Sequence, residues 1–531
     1  MFLTDSQLLS YQRCTRKAFL DIYGDFTQQD APSDFLLKLI KDSSQFRSSI
    51  INDYIYQKPD YPDRNIIAGA KATEALMAAG IDVIYRGVLV LSLSATLFKQ
   101  NVAENLTALP IGLRQNPRLE NISKNDNFPS INLVSYPDLL IKQPGYSRFG
   151  NWVYIPTDIK LSKRPKLEYQ IVAAFHAQIL ASIQDIWPEN TWLILRKRGL
   201  YKVKLPDRMQ QMRETVSELI QMLQKRQEPE VFISRQKCSL CTWYNSCHTV
   251  AQAQKHLSLL PGVTPSRYQV LQKLQLTTLE SLANTNPRDL ESYPEFADEV
   301  STQVVRQAQS VFTNKAILRK EKLTVAPDPK ISSIPQFRLT KLVNSPVELY
   351  FDIEAQPEIS LDYLHGVLVV DKRQKTEKFY VNLAEKPMDE ELIWYQFLDL
   401  VWKYPIAPIY HFCEYETQTI KRLAKLYQTP TYQWQPLLKR FVDIHQIVTQ
   451  TITLPVESYA LKNIARWLGF EWRNPEANGA QSVCWYEEWL KTGDRSLLDA
   501  IIIYNEDDCY ATYYIKEWLS NFIEAETRND E

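Results

Sequence analysis

Apolar and polar residues alternate through VELYFDIEAQP, so Leu349, Phe351 and Ile353 fall on one face of a predicted strand, with Asp352 and Glu354 together on the other. Two further extended runs carry acids: VSYPDLLIK holds Asp138, and NWVYIPTDIKLSK ends on Asp158 and Lys160. Residues two apart on a strand share a face, which pairs that aspartate with that lysine. Helical patterning follows in KLEYQIVAAFHAQILASI, with Gln170 near its start. It recurs in LLDAIIIYNEDDCYATYYIKEWL, where Tyr504 and Asp508 lie four apart and share a face. The segment APIYHFCEYETQTIKRLAKL reads as a strand running into a helix that Glu416 opens, and LLSYQRCTRKAFL and YALKNIARWLG read as amphipathic helices. After residue 250, QKHLSLLPGVTPSRYQVLQKLQLTTLESLANTNP reads as short helices joined by a turn at Pro261 and Gly262. Strands and helices thus mix along the whole chain, as in an α/β multidomain protein.

At 531 residues, with domains of about 100 to 200 residues, three or four domains are expected. A hydrophobic content of 45% with 23% charged residues is that of an ordinary globular protein. The first residues show no basic stretch followed by an apolar block, and no apolar run approaches the roughly 18 residues of a membrane span. The expectation is a soluble, cytoplasmic protein without membrane contact.

The net charge of -1 conceals an asymmetry about the proline-bearing segment TVAPDPKISSIPQF, which reads as a linker at about residues 326–344. Up to and including residue 330 there are 41 Lys+Arg against 32 Asp+Glu, and after it 20 against 30. A basic half suits a polyanion and an acidic half suits divalent cations, although solvated surface charge explains both equally well.

Seven cysteines are too few for a disulfide scaffold of this length. Cys14 in YQRC stands alone near the start, whereas Cys238, Cys241 and Cys247 form a C-x2-C-x5-C run. Four thiolates suit an iron-sulfur cluster or a structural zinc, and such a site would clasp the two ends of one folded unit. Cys413, Cys484 and Cys509 lack ligand spacing and read as buried thiols.

Inside the clasp, two carboxylates near a lysine can hold Mg²⁺ or Mn²⁺ at a phosphodiester while the lysine steadies negative charge. Asp138, the Asp158-Ile159-Lys160 triplet and Gln170, framed by one early and three late cysteines, resemble the RecB-type PD-(D/E)XK nucleases with an iron-sulfur clasp. That resemblance covers residues 1–250 and implies a restriction-endonuclease-like fold. It implies that Asp138 and Asp158 bind metal, Lys160 assists catalysis and Gln170 places substrate or the lysine. It also implies that Cys14, Cys238, Cys241 and Cys247 hold a [4Fe-4S] cluster, with zinc as the alternative. The chain departs from the family twice. SSQFRSSIINDY lacks the early His or Glu, with only Asp53 nearby, and Ala174 stands where Q-x3-Y has its tyrosine.

Residues 251–325 resemble a helix-hairpin-helix element, which grips a nucleic-acid backbone through Gly262, the helix start at Thr264 and the cation of Arg267; a plain helical connector is the alternative. Residues 345–531 resemble the DEDD exonucleases of the RNase H-like fold, with D-x-E, a later acid and Y-x3-D. Asp352, Glu354, Glu416 and Asp508 would then bind two Mg²⁺ or Mn²⁺ ions and Tyr504 would orient the attacking water, while Asp507 competes with its neighbour for the last role. Asp443 reads as a strand-end cap and Lys462 as a solvated lysine.

This order of modules is similar to a family of prokaryotic RecB-type nucleases. The expectation is a metal-dependent phosphodiester hydrolase acting 3′ to 5′ at single-stranded DNA ends, in repair, processing or defence. With no G-x4-G-K-[ST] in the chain, unwinding would fall to a helicase partner. The alternatives are an iron-sulfur nucleic-acid-binding scaffold with a degenerate front site, and an RNA-processing ribonuclease.

Overall fold

In the computed structural model, residues 1–93, 131–197, 199–319, 342 and 345–528 are described; apart from residue 342, the expected linker at 326–344 lies outside them. The chain forms two compact units, one of Met1–Val231 with Arg235–Cys247 and one of Phe232–Ser234 with His248–Glu531. The cysteine run therefore folds with the first unit and the helical hairpin with the second. No helix among the described residues is long and apolar enough to cross a membrane.

The first unit centres on a five-stranded sheet in the order Val83–Tyr85, Leu139–Ser147, Gly150–Lys160, Thr191–Leu195, Gly199–Val203. Leu139–Ser147 and Gly150–Lys160 form an antiparallel hairpin, and Gly150–Lys160 then runs parallel to Thr191–Leu195. A parallel neighbour requires a crossover, supplied here by the helix Leu167–Gln184. That helix is buried almost all round, which accounts for its lack of a polar face. Phe2–Thr4, Ile131–Ser135 and Leu89–Leu93 form a smaller sheet, and its residues pack with the crossover helix in one core.

In the second unit, Pro265–Lys273, Leu279–Ala283 and Val300–Thr313 enclose a core of Leu257, Leu271, Leu282, Phe296 and Val304. Beyond it lies a five-stranded sheet in the order Thr376–Leu383, Leu361–Asp371, Val347–Gln356, Ile409–His411, Phe441–Asp443. Leu361–Asp371 is antiparallel to both of its neighbours, Thr376–Leu383 and Val347–Gln356, and the last two strands run parallel to Val347–Gln356.

The alternation in Val347–Gln356 sorts its side chains as expected. Leu349, Phe351 and Ile353 pack with Phe397, Ile420 and Leu423 on one face, and Tyr350 joins Tyr410, Ile515 and Leu519 on the other. Each such aromatic or aliphatic side chain contributes roughly 1.5–3 kcal/mol on burial. Asp352 and Glu354 continue the Tyr350 face, beneath the helix Arg495–Arg528.

Two periods keep that helix in step with the strand. Glu348 to Asp352 is four strand residues, about 13 Å, and Lys516 to Asp508 is eight helical residues, about 12 Å. Lys516 Nζ meets Glu348 Oε1 at 3.0 Å with both side chains fully buried, and Tyr350 and Tyr513 lie ring to ring at 5.0 Å. The helix therefore runs antiparallel over the strand, and a buried ion pair at one end delivers Asp508 to Asp352 and Glu354 at the other.

Candidate active site

Carboxylate oxygens of Asp352, Glu354 and Asp508 lie within 4.8 Å of one another. Glu354 and Asp508 are buried and Asp352 partly so. Their hydrogen-bond donors are neutral. Asn505 Nδ2 donates to Asp352 Oδ2 at 2.7 Å and Trp472 Nε1 donates to Asp508 Oδ1 at 2.7 Å. Ser482 and Asn505 also hydrogen-bond Glu354, and Tyr504 hydrogen-bonds Asp508 from one helical turn away.

Desolvation and mutual repulsion both favour the protonated acids. Burial, then repulsion from Asp508, Glu354 and Glu416, raises Asp352 well above the usual carboxylate range. Burial, then Asp508, pushes Glu354 up to about 8. Burial also raises Asp508, to about 7, against the opposing pull of its Trp472 and Tyr504 hydrogen bonds. Lys462 Nζ sits over the rings of Trp472 and Tyr504, at 5.2 and 5.3 Å, and donates to the Ala477 carbonyl rather than to an acid. Three close carboxylates with so little compensating charge fit a divalent cation, which prefers oxygen donors and needs negative charge.

Glu416 is not part of this trio. It is buried in the first turn of Tyr415–Leu426, its Oε2 faces His411 Nδ1 at 3.3 Å, and its charge still reaches Asp352. Asp507 points elsewhere: Arg473 donates to both of its oxygens, from its backbone N at 2.9 Å and from Nε at 2.8 Å. Asp443 caps Ile444–Thr451 and accepts the Cys413 N–H at 3.1 Å. Cys413, just beyond the strand Ile409–His411, holds a left-handed backbone with φ 78°, a conformation that non-glycine residues adopt when surroundings enforce it.

In the first unit, Asp138, Asp158 and Lys160 also converge. Asp138 Oδ1 is 2.7 Å from Arg47 Nε, and Asp138 Oδ2 accepts the Ile159 N–H at 2.8 Å. Asp158 Oδ1 accepts the Asp138 N–H at 3.4 Å, and Asp158 Oδ2 is 3.1 Å from Lys160 Nζ and 3.3 Å from His176 Nε2. Burial alone would raise Asp158, but Lys160 and His176 hold it well below the usual range. Gln170 Nε2 donates to the Pro165 carbonyl at 2.7 Å, and its Oε1 accepts from Arg208 Nε at 3.0 Å. Ala174 is buried and Asp53 exposed.

The four clasp cysteines share the first unit. Cys14 caps Thr15–Tyr23 through a 3.4 Å contact from the Lys17 N–H, and Cys241 and Cys247 border the Trp243 cluster. Burial pushes the Cys241 thiol up to about 11, and the electrostatic influence of Cys14 and Cys238 reaches it, as that of Cys14 reaches Cys247. In the hairpin, Gly262 takes φ 92° and Thr264 caps Pro265–Lys273. Arg267 folds back, donating to the Glu295 carbonyl at 2.8 Å and the Gly262 carbonyl at 2.7 Å.

Sequence patterning did not single out Asn505, Trp472, His411 or Arg47. Only Asn505 left a sequence trace, as the polar residue between the apolar run Ile501–Tyr504 and the acidic run Glu506–Asp508.

No curated protein matches the chain. Residues 349–520 match the family model of the RNase_H superfamily, which supports an RNase H-like domain in the C-terminal part of the chain.

Proposed function

We propose that the chain is a metal-dependent nuclease whose cutting site is Asp352, Glu354 and Asp508, with Glu416 alongside. The observation that carries this reading is the approach of three carboxylates to within 4.8 Å with neutral hydrogen-bond donors around them. Mg²⁺ or Mn²⁺ held there would supply Lewis-acid stabilisation of the attacking and departing oxygens. The remaining work belongs to the chain. Asn505 and Trp472 orient Asp352 and Asp508, and the Tyr504 hydroxyl, which burial keeps protonated, is a hydrogen-bond donor beside Asp508 for placing water. The substrate is single-stranded DNA cut from its 3′ end, with RNA as the competing polymer. The Gly262–Arg267 turn contributes backbone contacts, and a separate helicase supplies strands.

In the first unit, Cys14, Cys238, Cys241 and Cys247 form a donor set suited to a [4Fe-4S] cluster that ties the chain's start to the end of that unit. Full-length protein incubated with labelled DNA and RNA strands and Mn²⁺ tests the reading. Metal-dependent shortening of DNA supports it, equal or greater shortening of RNA moves the substrate to RNA, and tight binding without cutting favours a scaffold.

A further inference from the structure

The two acidic pockets differ in what surrounds their carboxylates. Around Asp352, Glu354 and Asp508 the donors are amide, indole and hydroxyl groups. Around Asp138 and Asp158, every one of the four carboxylate oxygens already has a partner inside the first unit, and three of those partners are cationic or can become so. Arg47 comes from the helix Asp34–Ile51, Lys160 from the end of Gly150–Lys160, and His176 from the middle of Leu167–Gln184. Among the described residues, the acids facing this group from other elements add Asp5, whose Oδ2 accepts the Tyr136 N–H at 3.0 Å and lies 3.9 Å from His176 Nε2. Ser135 fixes the other His176 nitrogen. Three carboxylates thus meet three basic side chains, which lessens the electrostatic demand for a further cation, although burial and Asp158 still hold Asp138 above the usual carboxylate range.

We infer that Arg47 takes the place of a divalent cation in the front pocket, so that Asp138, Asp158 and Lys160 form a metal-free ionic core. Metal-dependent cutting then belongs to the second unit alone. A divalent ion entering the front pocket would have to break the Arg47–Asp138 ion pair and strand a guanidinium that is 23% exposed. Losing that pair is unfavourable, because it leaves a partly buried guanidinium without its carboxylate.

The test is Mn²⁺ binding, followed by electron paramagnetic resonance, to the full chain carrying Asp352→Asn and Asp508→Asn. The drop from the unaltered chain to this variant reports the rear site and is scored separately. With Arg47 in place, adding Asp158→Asn should leave the remaining Mn²⁺ binding unchanged. Arg47→Ala in the same background should create a site that Asp158→Asn weakens by at least about tenfold. Arg47→Gln, which retains most of the side chain's volume, replaces it if the alanine variant does not fold. Mn²⁺ binding that depends on Asp158 while Arg47 is present would overturn the inference. So would a folded Arg47 variant that gains no site.

Discussion

Asn505 Nδ2 donates to Asp352 Oδ2 at 2.7 Å, and the space Asn505 occupies exists because residue 366, directly across the sheet from Asp352, is glycine. A Cβ at Gly366 would stand 1.7 Å from Asn505 Oδ1 and 2.9 Å from Phe379 Cζ. Asn505→Ala should weaken Mn²⁺ binding about 10- to 100-fold while the fold persists, as removal of a group orienting a metal ligand does. Gly366→Ala should cost about 1–3 kcal/mol and act on binding in the same direction. The penalty should shrink, without vanishing, in the Asn505→Ala background, since Phe379 still crowds the new methyl. Calorimetric titration and thermal melting of the two single variants and the double variant check this coupling.

The rear acids make metal-free stability depend on pH. Their folded pKa values are raised above those of an unfolded chain, so their contribution is complete below about pH 4 and is lost as pH rises through the folded values, about 7 for Asp508 and about 8 for Glu354. Melting temperature in chelator should fall between about pH 5 and 9, and the fall should be smaller in Asp508→Asn. Saturating Mg²⁺ or Mn²⁺ should reverse it. An identical pH profile in the variant would refute the assignment.

Lys516 and Glu348 form an ion pair with no solvent exposure, joined by Tyr350 and Lys372. Lys516→Met should destabilise the second unit by about 1–3 kcal/mol, because Glu348 loses a fully buried charged partner while keeping Lys372 at 3.1 Å. The strand-helix register would loosen at the far end too. Denaturant titration of Lys516→Met and of the Lys516→Met/Glu348→Gln double variant should show the double substitution costing less than the single one.

Anaerobically purified protein should be brown if the four clasp thiols hold a [4Fe-4S] cluster. Cys241→Ala should bleach it and expose the first unit to protease, since opening one ligand of a folding-coupled site releases both chain ends. Colourless protein containing zinc, or a variant with unchanged protease resistance, would contradict the cluster.

Local patterns carried the parts of this architecture that repeat with a short period. Alternation in VELYFDIEAQP places Asp352 and Glu354 on one side of a strand, and the four-residue spacing of Tyr504 and Asp508 places both on one helix face. The Asp158 and Lys160 pairing follows from the same rule. Relationships set by tertiary packing left no such trace. Arg47 reaches Asp138 across 91 residues of sequence, and Trp472 reaches Asp508 from an irregular segment. Glu416 illustrates the limit differently: its helix register brings it to His411, one step away from the trio.

Manganese-dependent cleavage by the full chain tests the central claim most directly, with unaltered protein, Asp508→Asn and Asp158→Asn compared on end-labelled single-stranded DNA. The account predicts that Asp508→Asn lowers the rate by at least about 10²- to 10³-fold while remaining folded, and that Asp158→Asn leaves cutting near the unaltered rate. Undiminished cutting by folded Asp508→Asn, or loss of cutting on Asp158→Asn alone, would contradict it.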